Sequence, residues 1–352
     1  NDDIRVAYYG SESQNAYLVK ALAEAGHDIE WYGPIGSSSF MDNPRVTYHP
    51  TKNSYGQHLP SELLEDISFE HGALTTDLMK SDFIIDMSKQ GHCVEELYYY
   101  SKLRRFLCYR SGHQDHFFPF RIGPQDRHYL LPNRYFVKLF ADVGIPADYV
   151  NHYIPDFWGP GEDDQYWKWP NLTRKEYYLF PHRAHPNKGL NVIIRLAKEL
   201  PNETFVISTS TPLADHIENW NRAKTECAGL PNIKFIQCPQ HSKYHYYRRE
   251  LLRGAKAVLS PYEGGIYHDN GGYVSLESER CGTPVIITDS PESRDVYSDE
   301  AEGKSLIYID GFHSVKMAIQ HFSSYDLKGE LPSGWGPQDT VNKYMELIKK
   351  YS

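Results

Sequence analysis

Short β-prone runs alternate with helix-length segments along the chain, and this alternation is the feature that most restricts its fold. The first example is the run 4–9, a helical pattern from Tyr17 to Ala25 that Gly26 ends, and the run 29–32. Strands separated by helices of this length form βαβ units, in which neighbouring strands pair in parallel. The pattern therefore predicts an α/β protein.

The alternation occurs twice, on either side of a stretch without periodicity. Residues 156–176 are rich in Gly, Pro, acidic residues and Trp, a composition typical of a linker. At roughly 100–200 residues per domain, the length also predicts two domains. We expect two Rossmann-like, doubly wound parallel-sheet domains that face each other across a cleft. The expected boundaries are 1–157 for the N-terminal domain, 158–176 for the linker, 177–334 for the C-terminal domain and 335–352 for a final helix that crosses back to the first domain.

The end of the first half carries three further predictions of local structure. Residues 113–127 have the aromatic, Pro- and Gly-punctuated composition of a loop. The apolar periodicity that follows predicts a helix over 134–143, and the β-prone run 150–154 predicts a short strand. We also expect helices at 62–78 and 95–105.

Composition and charge exclude several classes of protein. The net charge is −9, whereas proteins that bind nucleic acid mainly through phosphates usually carry a basic balance, so we expect no nucleic-acid partner. No run of about 18 apolar residues occurs, and no signal-peptide pattern is visible at the start. The five cysteines are an odd number without a CxxC pair, which fits a reducing compartment. We therefore expect a cytoplasmic protein.

The common short catalytic motifs are missing. The sequence has no H-E-x-x-H, no G-x-S-x-G and no G-x-x-x-x-G-K-[ST], and no G-x-G-x-x-G follows the first strand. The H-x-x-H pairs His113/His116 and His182/His185 have no carboxylate at a metal-ligand offset, so we expect no metal site. Zinc proteases, serine hydrolases, P-loop enzymes and NAD enzymes are disfavoured.

One loop between a predicted strand and a predicted helix carries two cations. Arg183 and Lys188 lie five residues apart in 180–190, and Gly189 follows. The start of the next helix adds partial positive charge beside them, so the loop suits a diphosphate. A surface loop with two solvated charges explains the same spacing.

A second block places two acids around a glycine-rich turn. Asp269 precedes Gly271 and Gly272, which open a helix, and Glu277 lies one turn further on. Paired glycines allow backbone N–H groups to approach an anion closely, and a carboxylate accepts hydrogen bonds from ribose hydroxyls. An ordinary helix start with a capping acid is the alternative for either acid alone.

Together these blocks resemble the donor site of the retaining GT-B glycosyltransferases of family 4, the glycosyl transferases group 1. That family has an Arg and a Lys-Gly pair at the spacing of Arg183 and Lys188, and an E-x₇-E block that Asp269 and Glu277 match. The strand entry 282–286, the helix end at 25–29, the segments 144–146 and 152–155, and Trp335 also agree with it. The chain departs from the family at His182, where Gly is usual, and at Asp269, where Glu is usual.

The resemblance implies a role for each matched residue. Arg183 and Lys188 would neutralise the diphosphate, Glu277 would hold the ribose, and Asp269 or the alternative acid Glu263 would contact the sugar. Residues Gly271, Gly272, Tyr273 and Val274 would complete the nucleotide-sugar site with backbone N–H groups. His113, with His116 as its rival, would lie near the reacting centre and act with Asp269 and Glu277 in catalysis.

The resemblance thus implies a retaining, metal-independent hexosyltransferase. It would move a sugar from a UDP or GDP sugar, its donor substrate rather than a cofactor, to a hydroxyl of a glycan, lipid-linked or small-molecule acceptor. The alternatives are a degenerate GT-B protein that binds a nucleotide sugar without transfer, a nucleotide-sugar 2-epimerase, and transfer to modified phage DNA, which the acidic balance disfavours. The basic residues Lys102, Arg104 and Arg105 are either a solvated helix face or a contact with an anionic membrane surface.

Overall fold

The chain forms two compact units. The computed structural model describes residues 10–34, 43–51, 84–86, 106–109, 128–209, 214–238, 244–263, 272–297 and 299–351. What we term the N-terminal unit contains the described residues between 11 and 153 together with 338–351, and the C-terminal unit contains those between 154 and 337. The finer domain boundaries given above stay a prediction.

The N-terminal unit contains two parallel sheets within its described ranges. In the first, β1 (Ile29–Pro34) pairs with β2 (Val46–Thr51). The second has the order β3 (Ile84–Asp86), β4 (Phe106–Tyr109), β5 (His128–Leu131) and β6 (Ala147–Tyr149). Its helices are α1 (Gly10–Glu24) and α2 (Arg134–Asp142), the latter as predicted to within one residue.

The strand predicted at 150–154 is wrong, and the paired strand lies just before it. Tyr129 of β5 pairs with Ala147 of β6, and the last bond of this ladder runs from the Val150 N–H to the Leu131 carbonyl. Val150 and Ile154 are fully buried, so their apolar character reflects burial in a core rather than strand pairing. The strand β5 was not predicted, while the run 4–9 and the helices 62–78 and 95–105 lie outside the described residues.

The C-terminal unit is one six-stranded parallel sheet with helices between its strands, as the alternation predicts. The sheet order is β12-β11-β10-β7-β8-β9. The strands are β7 (Tyr177–Phe180), β8 (Thr204–Thr209), β9 (Ile233–Gln237), β10 (Ala257–Ser260), β11 (Val285–Thr288) and β12 (Leu306–Ile309). The helices are α3 (Leu190–Glu199), α4 (Ala214–Glu226), α5 (Tyr244–Gly254), α6 (Tyr273–Arg280), α7 (Pro291–Val296) and α8 (Phe312–Gln320).

Burial of both sheet faces explains why these strands are continuous apolar runs. All four residues of β7 and of β10 are buried, as expected for a parallel sheet that helices cover. The covering helices bury one face each, and α3 contributes Leu190, Ile193 and Leu196 to the core. The core thus fixes the strand ends from which the functional connections start.

The stretch predicted as a linker packs on α5 of the C-terminal unit. The Glu250 carboxylate is fully buried and contacts three guanidinium groups, those of Arg174, Arg249 and Arg253, at 3.5, 3.2 and 3.0 Å. Arg253 also donates to the Gly159 carbonyl (2.9 Å) and Arg249 to the Phe157 carbonyl (3.3 Å). Tyr166 stacks on Tyr246 with ring centroids 4.5 Å apart. Residues 156–166 contain two short 3₁₀ helices, Asp156–Trp158 and Asp164–Tyr166, and charge and ring contacts hold them against α5.

The C-terminal helix α9 (Pro337–Tyr351) belongs to the core of the N-terminal unit. Its buried residues Val341, Tyr344 and Leu347 recur every three residues, which places them on one face. They pack with Leu18 and Leu22 of α1, with Leu130 of the second sheet and with Val150, which follows β6. The fold class predicted from the sequence includes this returning helix.

A small polar cluster fixes the end of α9 to the sheet. The Asp148 carboxylate accepts hydrogen bonds from the Tyr351 hydroxyl (2.6 Å) and the Lys350 ammonium (2.9 Å), and it lies 2.8 Å from His128 Nε2. Desolvation alone would raise the pKa of Asp148, but these three partners outweigh it and hold the pKa below its ordinary value.

We predict that Asp148→Asn lowers the free energy of unfolding by about 1–3 kcal/mol at pH 7, because hydrogen bonds to a charged group are lost. The folded-state pKa of Asp148 is depressed, so its contribution is present above the unfolded-state pKa and disappears as the pH falls through the folded-state pKa. Urea unfolding of wild type and variant at several pH values measures this difference. A difference that stays constant below about pH 4 would contradict the assignment.

Candidate functional site

The site is built where two neighbouring strands of the C-terminal sheet are far apart in sequence. β7 pairs with β10, with Leu179 opposite Val258, although β8 and β9 lie between them along the chain. At such a point the winding of the sheet reverses, and the two following connections leave toward opposite sides. Open α/β sheets bind ligands at such a point, at the carboxyl ends of the strands. The first connection is residues 181–189, all of which are described. The second is residues 261–272, of which 261–263 and 272 are described.

The first connection carries both predicted cations. It contains one turn of 3₁₀ helix, Pro186–Lys188, whose start is capped by His185 Nδ1 accepting from the Asn187 N–H (3.2 Å). Arg183 is exposed and Lys188 is half-buried. The turn leads through Gly189 into α3, and the N-terminus of this helix contributes partial positive charge.

Gly189 lets the two connections approach each other at the backbone. It has a φ of +85°, a conformation that favours glycine, and it caps α3. A Cβ atom at this position would lie 1.8 Å from the Pro261 carbonyl oxygen. The Glu263 N–H also donates to the Asn187 carbonyl (3.2 Å), so backbone contacts join the two connections.

The ammonium group of Lys188 forms a cation–π contact. Its Nζ lies 5.1 Å from the ring centroid of Tyr262, on the opposite connection. A cation over an aromatic face is attracted to the electron-rich ring. Tyr262 therefore helps to position the Lys188 ammonium group at this edge of the sheet.

The helix α6 begins at the same edge. Gly272 is its N-cap residue, with a φ of +53°, and its carbonyl accepts from the N–H groups of Ser275 (2.9 Å) and Leu276 (3.1 Å). Tyr273 and Val274 are the first two residues of the helix. Their backbone N–H groups point along the positive end of the helix dipole, which favours a negatively charged ligand.

Glu277 is buried one turn into α6 and forms an ion pair. Arg248 Nη2 on α5 lies 2.7 Å from Glu277 Oε2. Burial raises the pKa of Glu277 above its ordinary value, and the charge and hydrogen bond of Arg248 oppose that rise. Within the part of the chain that the structure describes, the carboxylate has no other protein partner. Its second oxygen, Oε1, is thus available to a ligand hydroxyl.

Sequence patterns did not identify Ser260, Ser275 or Arg248 as site residues, and they marked His182 only as a departure from the family and as a member of an H-x-x-H pair. His182 Nε2 lies 2.9 Å from Ser260 Oγ, and Ser260 Oγ lies 3.1 Å from Ser275 Oγ. A motif search could have noted that Ser260 ends a strand and Ser275 opens a helix. Their meeting with His182 depends on the adjacency of β7 and β10, which no local pattern contains.

The remaining predicted site residues divide into one that is described and several that are not. Glu263 is a surface residue beside Asn187, and partial burial raises the pKa of its carboxyl although a hydrogen bond with Asn191 lowers it. The choice between Glu263 and Asp269 as the sugar-contacting acid stays open. The following lie outside the described residues: Asp269, Gly271, His113, His116, Lys102, Arg104 and Arg105.

The described residues add neither a metal site nor a membrane-spanning helix to this picture. They contain no cluster of three or more His, Cys, Asp or Glu side chains placed to hold a metal ion. None of their helices combines the length and the apolar character needed to cross a bilayer.

Known structures share this architecture over nearly the whole chain. A glycosyltransferase from Rickettsia africae matches with a TM-score of 0.67 at 14% identity, covering 98% of this chain and 95% of its own. HepE of Anabaena, in complex with UDP and glucose, matches with a TM-score of 0.70 at 10% identity and covers 98% of both chains. The sucrose-phosphate synthase of Thermosynechococcus elongatus matches with a TM-score of 0.67 at 13% identity, over 98% and 91%. The sequence matches no curated protein.

The fold is therefore that of the GT-B glycosyltransferases. The sequence of residues 161–318 matches the family Glycosyl transferases group 1, and this range contains both connections of the site. Residues 161–318 therefore form a Glycosyl transferases group 1 domain, as the resemblance of the two motifs predicts.

We predict that Gly189→Ala destabilises the C-terminal unit more than Gly229→Ala does. Both glycines have a left-handed φ, which costs roughly 1–2 kcal/mol for a residue with a Cβ atom. Only at Gly189 would the Cβ meet a backbone oxygen, whereas nothing lies within 4 Å at Gly229. Thermal unfolding should show that Gly189→Ala lowers the free energy of unfolding by about 1–3 kcal/mol more than Gly229→Ala does. Equal losses would contradict the close approach of the connections.

Proposed function

We propose that this chain is a retaining, metal-independent glycosyltransferase that uses a nucleoside-diphosphate sugar and a hydroxyl acceptor. The observation that carries the proposal is the meeting of two connections at the β7–β10 edge. One brings Arg183 and Lys188, and the other leads into α6 and Glu277. Cations, a helix N-terminus and a hydroxyl-binding carboxylate are the groups that a nucleoside diphosphate requires.

The cations act on the leaving group. When the bond from the sugar to the diphosphate breaks, negative charge increases on the diphosphate. Arg183, Lys188 and the first N–H groups of α6 stabilise that charge more strongly in the transition state than in the ground state, which lowers the barrier. Because these groups supply positive charge, transfer should continue in the presence of EDTA.

Glu277 recognises the ribose in this proposal. Arg248 holds Oε2, so Oε1 has a fixed direction in which to accept from the ribose hydroxyls. The family resemblance gives Asp269 or Glu263 the contact with the sugar, backbone N–H groups around Gly271 a share of the anion site, and His113 a place near the reacting centre. UDP-glucose is the first donor to test, because HepE of Anabaena is solved in complex with it.

Two other GT-B activities are distinguished by their products. A 2-epimerase would convert the donor sugar with no acceptor present, and a binding protein would leave the donor unchanged. The proposed reaction predicts transfer of the sugar to an acceptor with its anomeric configuration preserved. NMR of the product detects this configuration. The hydroxyl acceptor, glycan, lipid-linked or small, has to be found by that assay.

We predict that the double variant Arg183→Ala, Lys188→Ala weakens UDP or GDP binding by about 2–5 kcal/mol, because charged hydrogen bonds to the diphosphate are lost. Isothermal titration calorimetry measures the affinity. The matched control is Arg195→Ala, Lys198→Ala, which removes the same charge from α3, where the two side chains pair with Glu199 and Glu226. Equal affinities of the double variant and the control would reject the diphosphate assignment.

We also predict that Glu277→Gln lowers the affinity for UDP about tenfold, because a neutral amide accepts hydroxyl hydrogen bonds less strongly than a carboxylate does. The loss should be smaller for 2′-deoxy-UDP, which lacks one of the hydroxyls. Calorimetry with both ligands, with thermal unfolding as the folding control, makes the comparison. Equal losses for the two ligands would remove the ribose role from Glu277.

A further inference from the structure

A buried chain of polar side chains lies directly behind the proposed diphosphate site. His182 is 4% exposed, and Ser260 and Ser275 are fully buried. Imidazole Nε2 to hydroxyl (2.9 Å) and hydroxyl to hydroxyl (3.1 Å) are both hydrogen-bond distances. Polar groups removed from water are costly unless they are hydrogen-bonded, so these contacts hold the three side chains in one arrangement.

The three residues come from three different segments. His182 is the second residue after β7, Ser260 is the last residue of β10, and Ser275 lies in the first turn of α6. The two hydrogen bonds thus link positions 78 and 15 residues apart in sequence. They connect the start of the cation-bearing connection with the start of the helix that faces the anion.

The buried imidazole also determines where Arg183 points. His182 and Ala184 are buried, and Arg183 between them is exposed. The two neighbours of Arg183 thus face the interior while its own side chain reaches the surface. An inward-facing His182 therefore directs the guanidinium of Arg183 outward, away from the core.

Aromatic contacts hold the imidazole ring on two sides and extend to the second cation. Phe180 lies 5.0 Å from the His182 ring, centroid to centroid, and Tyr262 lies 5.7 Å from it in an edge-to-face arrangement. Tyr262 is the ring over which Lys188 Nζ sits. A change at His182 would thus reach Arg183 through the backbone and Lys188 through Tyr262.

We propose that His182 is a positioning residue of the nucleoside-diphosphate site, acting through Ser260 and Ser275 to fix the two cations relative to the start of α6. The inference rests on the proposed function, since it requires that this edge bind a diphosphate. His182 is too deeply buried to touch the substrate and takes no part in the bond changes. It therefore contributes to the binding of the phosphates and not to the binding of the nucleoside.

The test compares four substitutions with two ligands. His182→Ala and Ser275→Ala each break the chain of hydrogen bonds. His182→Gln places an amide near the position of Nε2 and can still reach Ser260, whereas His182→Asn is one methylene shorter and places its amide near the position of Nδ1. Calorimetry measures the affinity of each variant for UDP and for uridine, or for GDP and guanosine if wild type prefers them. Thermal unfolding confirms that each variant is folded.

We expect His182→Ala, His182→Asn and Ser275→Ala to bind UDP about tenfold more weakly than wild type. Each substitution removes one or two of the hydrogen bonds that position the phosphate-binding groups. Their affinity for uridine should stay within about twofold of wild type. His182→Gln should recover most of the UDP affinity. A merely structural role would lower both affinities together and would not separate Gln from Asn.

Three results would overturn the inference alone, with wild type still binding UDP through Arg183 and Lys188. These are unchanged UDP affinity of His182→Ala, equal losses for UDP and uridine, or equal behaviour of His182→Gln and His182→Asn. A wild-type protein that binds no nucleoside diphosphate, or one in which the Arg183→Ala, Lys188→Ala variant binds normally, would instead overturn the proposed function and this inference with it.

Discussion

The parallel pairing of β7 with β10 is the constraint on which the C-terminal unit and its candidate site depend. It places the ends of two strands side by side while sending the following connections in opposite directions. Gly189 then allows one connection to meet the Pro261 carbonyl of the other. Without that adjacency, Arg183, Lys188 and the start of α6 would be features of separate loops.

The charged groups of the site are held by partners of different kinds, and the difference fits their proposed roles. Lys188 lies over an aromatic ring, which orients its ammonium group. Glu277 is held by a guanidinium, which opposes the effect of burial on its carboxyl and fixes one oxygen. The first arrangement suits binding of a phosphate, and the second suits acceptance of hydrogen bonds from neutral hydroxyls.

Local sequence patterns predicted the alternation of strands and helices in the C-terminal unit, and the reason is its buried parallel sheet. Continuous apolar strands such as β7 and helices with one apolar face such as α3 have patterns that neighbours do not change. In the N-terminal unit, β5 was not predicted. The strand predicted at 150–154 lies at 147–149 instead, because Val150 and Ile154 owe their apolar character to burial and not to pairing. The helix α7 is six residues long and too short for a periodic pattern, although Ser290 and Pro291 are ordinary start signals.

The same distinction applies to the site. The spacing of Arg183 and Lys188 and the position of Glu277 are local, and they were predicted from the sequence. Arg248 and the trio of His182, Ser260 and Ser275 come from segments that only the folded sheet brings together. Their pairing is a property of topology, which a single sequence does not reveal.

The arginine cluster around Glu250 has a consequence for how the donor-side half could be isolated. The family match begins at residue 161, but Arg249 and Arg253 bind carbonyl groups of Phe157 and Gly159, and Arg280 pairs with Asp156. A fragment cut at the edge of the match would remove the two carbonyl acceptors of Arg249 and Arg253 and the carboxylate partner of Arg280, and Arg249 and Arg253 would keep their contacts with the buried Glu250. An expression fragment that starts at Ile154, where the compact unit resumes, would keep the cluster whole.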